Sequence, residues 1–288
     1  MRYSTPLRYP GGKGKLTNFV KLLIMNNNLL DGHYVEPFAG GCGVALSLLF
    51  QELVVHIHIN DLNPSVYSFW HSVLNETEEL CRLVCDTPVT IDEWRKQRLV
   101  QNNADAVTPL ELGFSTFFLN RTNRSGIIKA GVIGGTDQTG NYKIDARYNK
   151  KALIDRITMV AHYRSRISLY NQDASDFLLN TLPTFPDNTL VYLDPPYYVK
   201  GKDLYENHYV HKDHEELARI VTNHIRQNWM VSYDFVPEVA ELYKNFRQID
   251  YLLSYSAADK YKGSELMVFD DELTIPEVTN PSKMNKAS

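Results

Sequence analysis

Leu190-Val191-Tyr192-Leu193-Asp194-Pro195-Pro196-Tyr197-Tyr198 is the stretch that decides how the rest of the chain is read. Four apolar residues in a row mark a short buried strand. The run stops at Asp194-Pro195-Pro196, because proline has no N–H to donate and fixes φ, so a sheet ladder must end there. A carboxylate is left at the carboxyl edge of a strand, followed by a stiff turn and two aromatic rings. Open α/β sheets bind their ligands at that edge. A planar aminated ring could stack on Tyr197 while Asp194 and the carbonyl of Pro195 hold its amino hydrogens. The plain alternative is a strand that merely ends in a proline-rich turn, and companion motifs weigh against it.

The first companions lie near the amino end. Arg8-Tyr9-Pro10-Gly11-Gly12-Lys13-Gly14-Lys15 joins an aromatic ring, three glycines and two lysines. Such a loop lets backbone approach a ligand while a lysine reaches an anionic group. Its spacing is not that of a Walker A loop. A helix is expected over 16–30. Residues 34–38 predict a strand, 39–43 (Ala-Gly-Gly-Cys-Gly) a glycine-rich turn and 44–50 an apolar helix, which is the nucleotide-binding order of doubly wound folds. The turn is not GxGxxG, so pyrophosphate binding is disfavoured. A second strand, 54–59, ends at Asn60-Asp61. An acidic residue about twenty positions after such a turn commonly accepts a ribose hydroxyl. An Asx turn before Pro64 is the bland alternative.

Together, Asp194-Pro195-Pro196-Tyr197, the motif from Arg8 to Lys13 and the loop from Val35 to Gly43 resemble the Dam-type (alpha-group) N6-adenine-specific DNA methyltransferases, over roughly residues 6–270. The resemblance implies an α/β fold: a Rossmann-like S-adenosylmethionine-dependent methyltransferase sheet with an inserted, mostly helical target-recognition domain carrying a β-hairpin or basic loop. It divides the chain into a catalytic domain (1–74 and 160–275), an insert (75–159) and a flexible tail (276–288). It implies S-adenosyl-L-methionine as cofactor, held by Tyr9, Lys13, Glu36, Pro37, Phe38, Gly40, Asp61, Asp173 and Asp194. Asp194, Pro195, Pro196 and Tyr197 would be the catalytic residues, acting on N6 of an adenine flipped from double-stranded DNA. A cognate restriction endonuclease is a further partner the family allows, and a cytoplasmic monomer is expected. Tyr255 and residues 260–266 are similar to the family's late motif near the base pocket.

Net charge is −4, which alone does not mark a nucleic-acid binder. Its distribution does more. Between Gly113 and Tyr170 stand ten Lys and Arg against three Asp, so 10 − 3 gives +7 locally, and such a segment attracts a phosphate backbone. Within it, glycines at 131, 134, 135 and 140 with short β-like pieces predict a hairpin or long basic loop. Arginine and asparagine read guanine and adenine edges, so Arg121, Asn123, Arg124 and Lys129 are the candidate DNA contacts. A glycine-rich surface loop is the alternative. A capping box is expected at Thr90–Glu93, a helix over 151–166, and a strand over 167–170.

The remaining signals exclude more than they assign. Three cysteines without a CxxC pair argue for a reducing compartment and against structural zinc. His208, His211 and His214 share a three-residue spacing without the carboxylate that zinc helices usually carry. A flap over the flipped base fits 199–214 better. No apolar run approaches the ~20 residues that span a bilayer, and no signal peptide is expected. N4-cytosine methylation, or a DNA-binding relative without activity, are the rival functions. The aspartate at 194, where cytosine enzymes more often carry serine, favours adenine.

Overall fold

The computed structural model describes residues 5–8, 13–198, 209–254 and 262–284. It contains two compact units, one of residues 1–12 with 63–165 and the other of residues 13–62 with 166–288.

The second unit is built on a seven-stranded sheet. In chain order the strands are β1 (Gly32–Glu36), β2 (Val54–Asn60), β3 (Ile167–Tyr170), β4 (Thr189–Leu193), β5 (Asn228–Asp234), β6 (Arg247–Ser254) and β7 (Lys262–Phe269). They lie in the order β3-β2-β1-β4-β5-β7-β6. The first five are parallel, and β7 enters antiparallel between β5 and β6. Every residue of β4 is buried, as an apolar run covered on both faces requires. Direction of winding reverses between β1 and β4, which pair through Val35↔Val191. That reversal opens a crevice at the strands' carboxyl ends, and both Glu36 and Asp194 stand there. Leu193, Val231, Tyr233, Leu217, Ile220 and Val268 belong to the core against which this edge is held.

Helix α1 (Thr17–Asn26) is preceded by a 3-10 turn from Lys13 to Leu16, and α2 (Gly43–Phe50) follows β1. The expected strand–turn–helix order is present, though β1 begins two residues earlier and ends before Pro37. The hairpin of β6 and β7 was not expected from the sequence at all.

The first unit is helical: α3 (Pro64–Asn75), α4 (Thr77–Asp86), α5 (Ile91–Asn102), α6 (Pro109–Thr122) and α7 (Lys150–His162). Phe69 stacks on Phe117 at 5.9 Å, and Tyr148 closes edge-on against Phe117. Helices α3 and α6 approach so closely that a Cβ at Gly113 would lie 2.5 Å from the Ser68 carbonyl. The reciprocal capping box is at Thr108 and Glu111, opening α6; at Thr90 only the hydroxyl half forms, accepting from Glu93 N–H. Between α6 and α7 no hairpin is formed. A single antiparallel bridge, Asn123↔Val132, closes a loop of turns, with Gly134 and Gly135 at φ 85° and 78°. Glycine-rich backbone in left-handed conformations cannot keep the alternation that a ladder needs.

Candidate active site

Lys13 sits at the centre of the carboxyl-edge cluster. Its ammonium is 3.0 Å from Asp194 Oδ1 and 3.1 Å from Glu265 Oε2, donates to the Tyr197 hydroxyl at 3.3 Å, and lies 5.0 Å from the Tyr197 ring centre. Burial opposes its charge, but Asp194 and Glu265 outweigh that, and the ammonium is held well above the usual lysine range. Glu265 is fully buried on β7, opposite Asp234 of β5 and Tyr251 of β6. It accepts from the hydroxyls of Tyr197 (3.2 Å) and Tyr251 (3.4 Å). Burial pushes its carboxyl above the ordinary value and Lys13 pulls it back part of the way.

Asp194 is the more open carboxylate, with 28% of its side chain exposed. Ser232 donates to its Oδ1 at 2.9 Å and is itself bonded to the Tyr192 hydroxyl. Ion pair and hydrogen bond both fall on Oδ1, leaving Oδ2 without a hydrogen-bond partner among the described residues. The turn after it is set as the sequence implies: Pro195 is buried and Pro196 half-buried. Tyr197 departs from expectation. The residue is 4% exposed, with its ring and hydroxyl against Lys13 and Glu265, so it is no open stacking platform here. Hydrogen bonding of its hydroxyl to a buried ion pair outweighs exposure of the face. Tyr198 is half-buried, its N–H donating to Asp234 and its hydroxyl paired with His211.

A second group of polar atoms lies at the ends of β1 and β2. Asp61 accepts from Gly40 N–H at 2.9 Å, and this holds the turn in which Gly40 and Cys42 take φ of 45° and 49°. Asn60, fully buried, donates to the carbonyls of Pro37 and Gln172. Glu36 Oε1 accepts from Ala45 N–H in the first turn of α2; burial raises its carboxyl to about 8 despite that bond. Pro37 is buried, and Phe38 is half-buried with its ring edge-on to Tyr209 at 5.9 Å. Asp173 is exposed and caps the helical stretch 174–184 through the N–H groups of Ser175 and Asp176. It therefore carries the capping task that a turn carboxylate can have. Nothing within 4 Å would meet a Cβ at Gly14, and only Gly14 itself lies that near Gly43.

These carboxylates and the bare glycine backbone fit S-adenosylmethionine, which offers hydroxyl and ammonium donors and a cationic centre. Tyr9 lies outside the described residues, as do Tyr255, residues 260 and 261, and most of the expected flap.

The candidate DNA contacts divide sharply within the first unit. Arg121 is buried, and its Nε and Nη2 both donate to the Pro6 carbonyl; burial, then Arg156 and Arg8, lower its pKa to about 9. Asn123 is wholly buried: its Oδ1 accepts from the Trp94 indole, and its amide donates to Ile127 and Ile128. As found, the side chains of these two hold the loop and the leading stretch. Arg124 and Lys129 are exposed. Asn120, unmarked in the sequence, clasps Arg8 by a paired contact: Arg8 N–H to Oδ1 (2.8 Å) and Nδ2 to the Arg8 carbonyl (2.6 Å).

Of the three regularly spaced histidines, His208 lies outside the described residues. His211 bonds Glu215 and Tyr198, and His214 is buried against the Tyr233 hydroxyl. Among the described residues no group of three or more His, Cys, Asp or Glu could hold a metal ion, and no helix is long and apolar enough to cross a membrane. His33, His56 and His58 cluster through ring contacts and a 3.0 Å contact between His33 Nδ1 and His58 Nε2.

A family model described as D12 class N6 adenine-specific DNA methyltransferase matches residues 9–254. No curated protein matches the chain significantly. Among solved structures, the chain is similar to the rRNA methyltransferase aviRa from Streptomyces viridochromogenes, with 14% identity over 91% of this chain and 86% of that one and a TM-score of 0.41. It is also similar to a SAM-dependent methyltransferase from Agrobacterium tumefaciens, with 8% identity, 87% and 61% coverage and a TM-score of 0.39. At such identities and scores neither weighs beside the family match.

Proposed function

From the premise that the chain belongs to the D12 class N6 adenine-specific DNA methyltransferase family, and is therefore an S-adenosylmethionine-dependent adenine methyltransferase, we propose that it methylates N6 of one adenine extruded from duplex DNA at Asp194. The observation that carries this reading is the division of labour on that carboxylate. Oδ1 is committed to Lys13 and Ser232, while Oδ2 has no partner among the described residues and can take a donor from outside.

An exocyclic amine is such a donor. Adenine N6 is a weak nucleophile because its lone pair is delocalised into the ring. Hydrogen bonds from its two protons to Asp194 Oδ2 and the Pro195 carbonyl would draw the nitrogen toward a tetrahedral form with the lone pair aimed outward. S-adenosylmethionine supplies the electrophilic methyl group when bound. Asp61, Glu36 and the Gly40 turn would hold it, with Lys13 contributing from the side of Asp194. Asp194 also accepts the proton that N6 must release. The gain comes from orientation and preset charges, with no covalent intermediate on the protein. Extrusion is required because N6 cannot be reached inside the stack, and it costs a few kcal/mol. The half-buried ring of Tyr198 is the aromatic surface in this turn that can offset part of that cost.

Transfer of labelled methyl to duplex DNA, followed by hydrolysis and identification of the methylated base, tests the reading. N6-methyladenine is expected from the native chain, and Asp194→Ala should lower the rate by at least about a thousandfold. Label on cytosine N4, or a native rate in the variant, would overturn it.

A further inference from the structure

The bridging position of Lys13 raises a problem of charge. If Asp194 alone faced Lys13, the two would form a neutral pair, and any cation brought to Asp194 would meet an ammonium 3.0 Å away. Glu265 changes that sum. It is as close to Lys13 as Asp194 is, it has no exposed side-chain surface, and it is held by the Tyr197 and Tyr251 hydroxyls. A carboxylate buried to this degree carries a heavy desolvation cost unless it is paired. The mechanism of transfer does not use it directly. With both carboxylates ionised the three groups total −1, and the field of the ammonium is divided between them.

We propose that Glu265 is a specificity-determining residue: by engaging Lys13 it leaves Asp194 with net negative field toward a cationic methyl donor, so the site favours a sulfonium over the neutral thioether that remains after transfer. The inference rests on the reading of Asp194 as the place of transfer, and adds how product is distinguished from donor. No bond is made or broken by Glu265. Its effect is exerted through Lys13, so it positions and biases charge. Besides Lys13, the groups facing it are the hydroxyls of Tyr197 and Tyr251 and the carboxylate of Asp194, with Tyr192 linked through Ser232.

Calorimetric titration of the full chain with S-adenosylmethionine and with S-adenosylhomocysteine, in the native protein and in Glu265→Gln, measures the effect without catalysis. The native chain should prefer the cation. In the variant the ratio of the two Kd values should fall by about tenfold, as a unit charge removed at this range in a partly polar interior implies, mostly through weaker binding of the cation. An unchanged ratio overturns the inference and leaves the proposed function standing. Failure of the native chain to bind either compound overturns the proposed function itself. Should the variant not fold, the ratio is followed with falling pH in Glu36→Gln, which removes the site's other raised carboxyl, so that proton uptake by buried Glu265 is what is read. It should decline with pH, and a flat ratio counts against Glu265.

Discussion

Glu36 holds a proton that an ordinary carboxylate would lose, and His58 refuses one that an ordinary imidazole would take. The Glu36 carboxyl is raised from 4.5 to about 8 by burial, with Ala45 N–H opposing. Its folded form therefore binds the proton more tightly, so its contribution is complete below pH 4.5 and is lost as pH rises through about 8. Glu36→Gln should remove that loss, gaining on the native chain by a few kcal/mol at most across that window, as read from ligand-free denaturation at several pH values. His58 is lowered to about 3 by burial and by His56 and His33. Its contribution is present above pH 6.5 and lost as pH falls toward 3. His58→Gln should flatten that acid limb, and an unaltered limb would show that the cluster does not govern it. At this scale the sequence was uneven. Asp194 was legible because two prolines end its strand in plain view. Glu265 was not, since Tyr197 stands 68 positions before it and Lys13 lies near the other end of the chain. Nor could the burial of Arg121 and Asn123 be read, because packing against Pro6 and Trp94 is a property of the folded unit.

Among the elements, α6 shows most clearly how packing overrides local pattern. It carries buried residues on all sides, from Leu112 to Thr122, and its fit against α3 depends on Gly113. Gly113→Ala places a methyl 2.5 Å from backbone and 2.6 Å from the Ser72 hydroxyl. Overpacking of this kind costs about 1–3 kcal/mol, so chemical denaturation should show a lower midpoint with an unchanged slope. A midpoint equal to the native one would mean that α3 and α6 can separate at no cost. The parallel strands were legible because each is an apolar run closed by turn residues. β6 escaped because Arg247, Gln248 and Asp250 interrupt its apolar pattern, and its partner β7 shields it from the same side only. The glycine-rich stretch after α6 allowed a hairpin or a long basic loop, and its left-handed glycines turn it into a loop.

On the scale of the molecule, a chain of net charge −4 keeps a surplus of +7 between residues 113 and 170. Attraction to DNA should therefore depend on that segment and weaken steeply with salt. Replacing exposed Arg124 and Lys129 by alanine should reduce the slope of log Kd against log salt by about one each if each meets a phosphate. Arg121→Ala should instead lower thermal stability, since it strips a buried carbonyl of its donors. Slopes that do not change in the first two variants would move the DNA contact elsewhere.

One consequence follows from the way residues 5–8 are held. Thr5 and Pro6 offer their carbonyls to Arg156 and Arg121, and Arg8 is clasped by Asn120, so this stretch is bonded into the helical unit although it is far from it in sequence. Anyone grafting the helical segment into a relative must transplant the leading stretch as well. A graft of 63–165 alone would leave Asn120 and Arg121 facing a foreign strand whose carbonyls need not be where theirs are wanted.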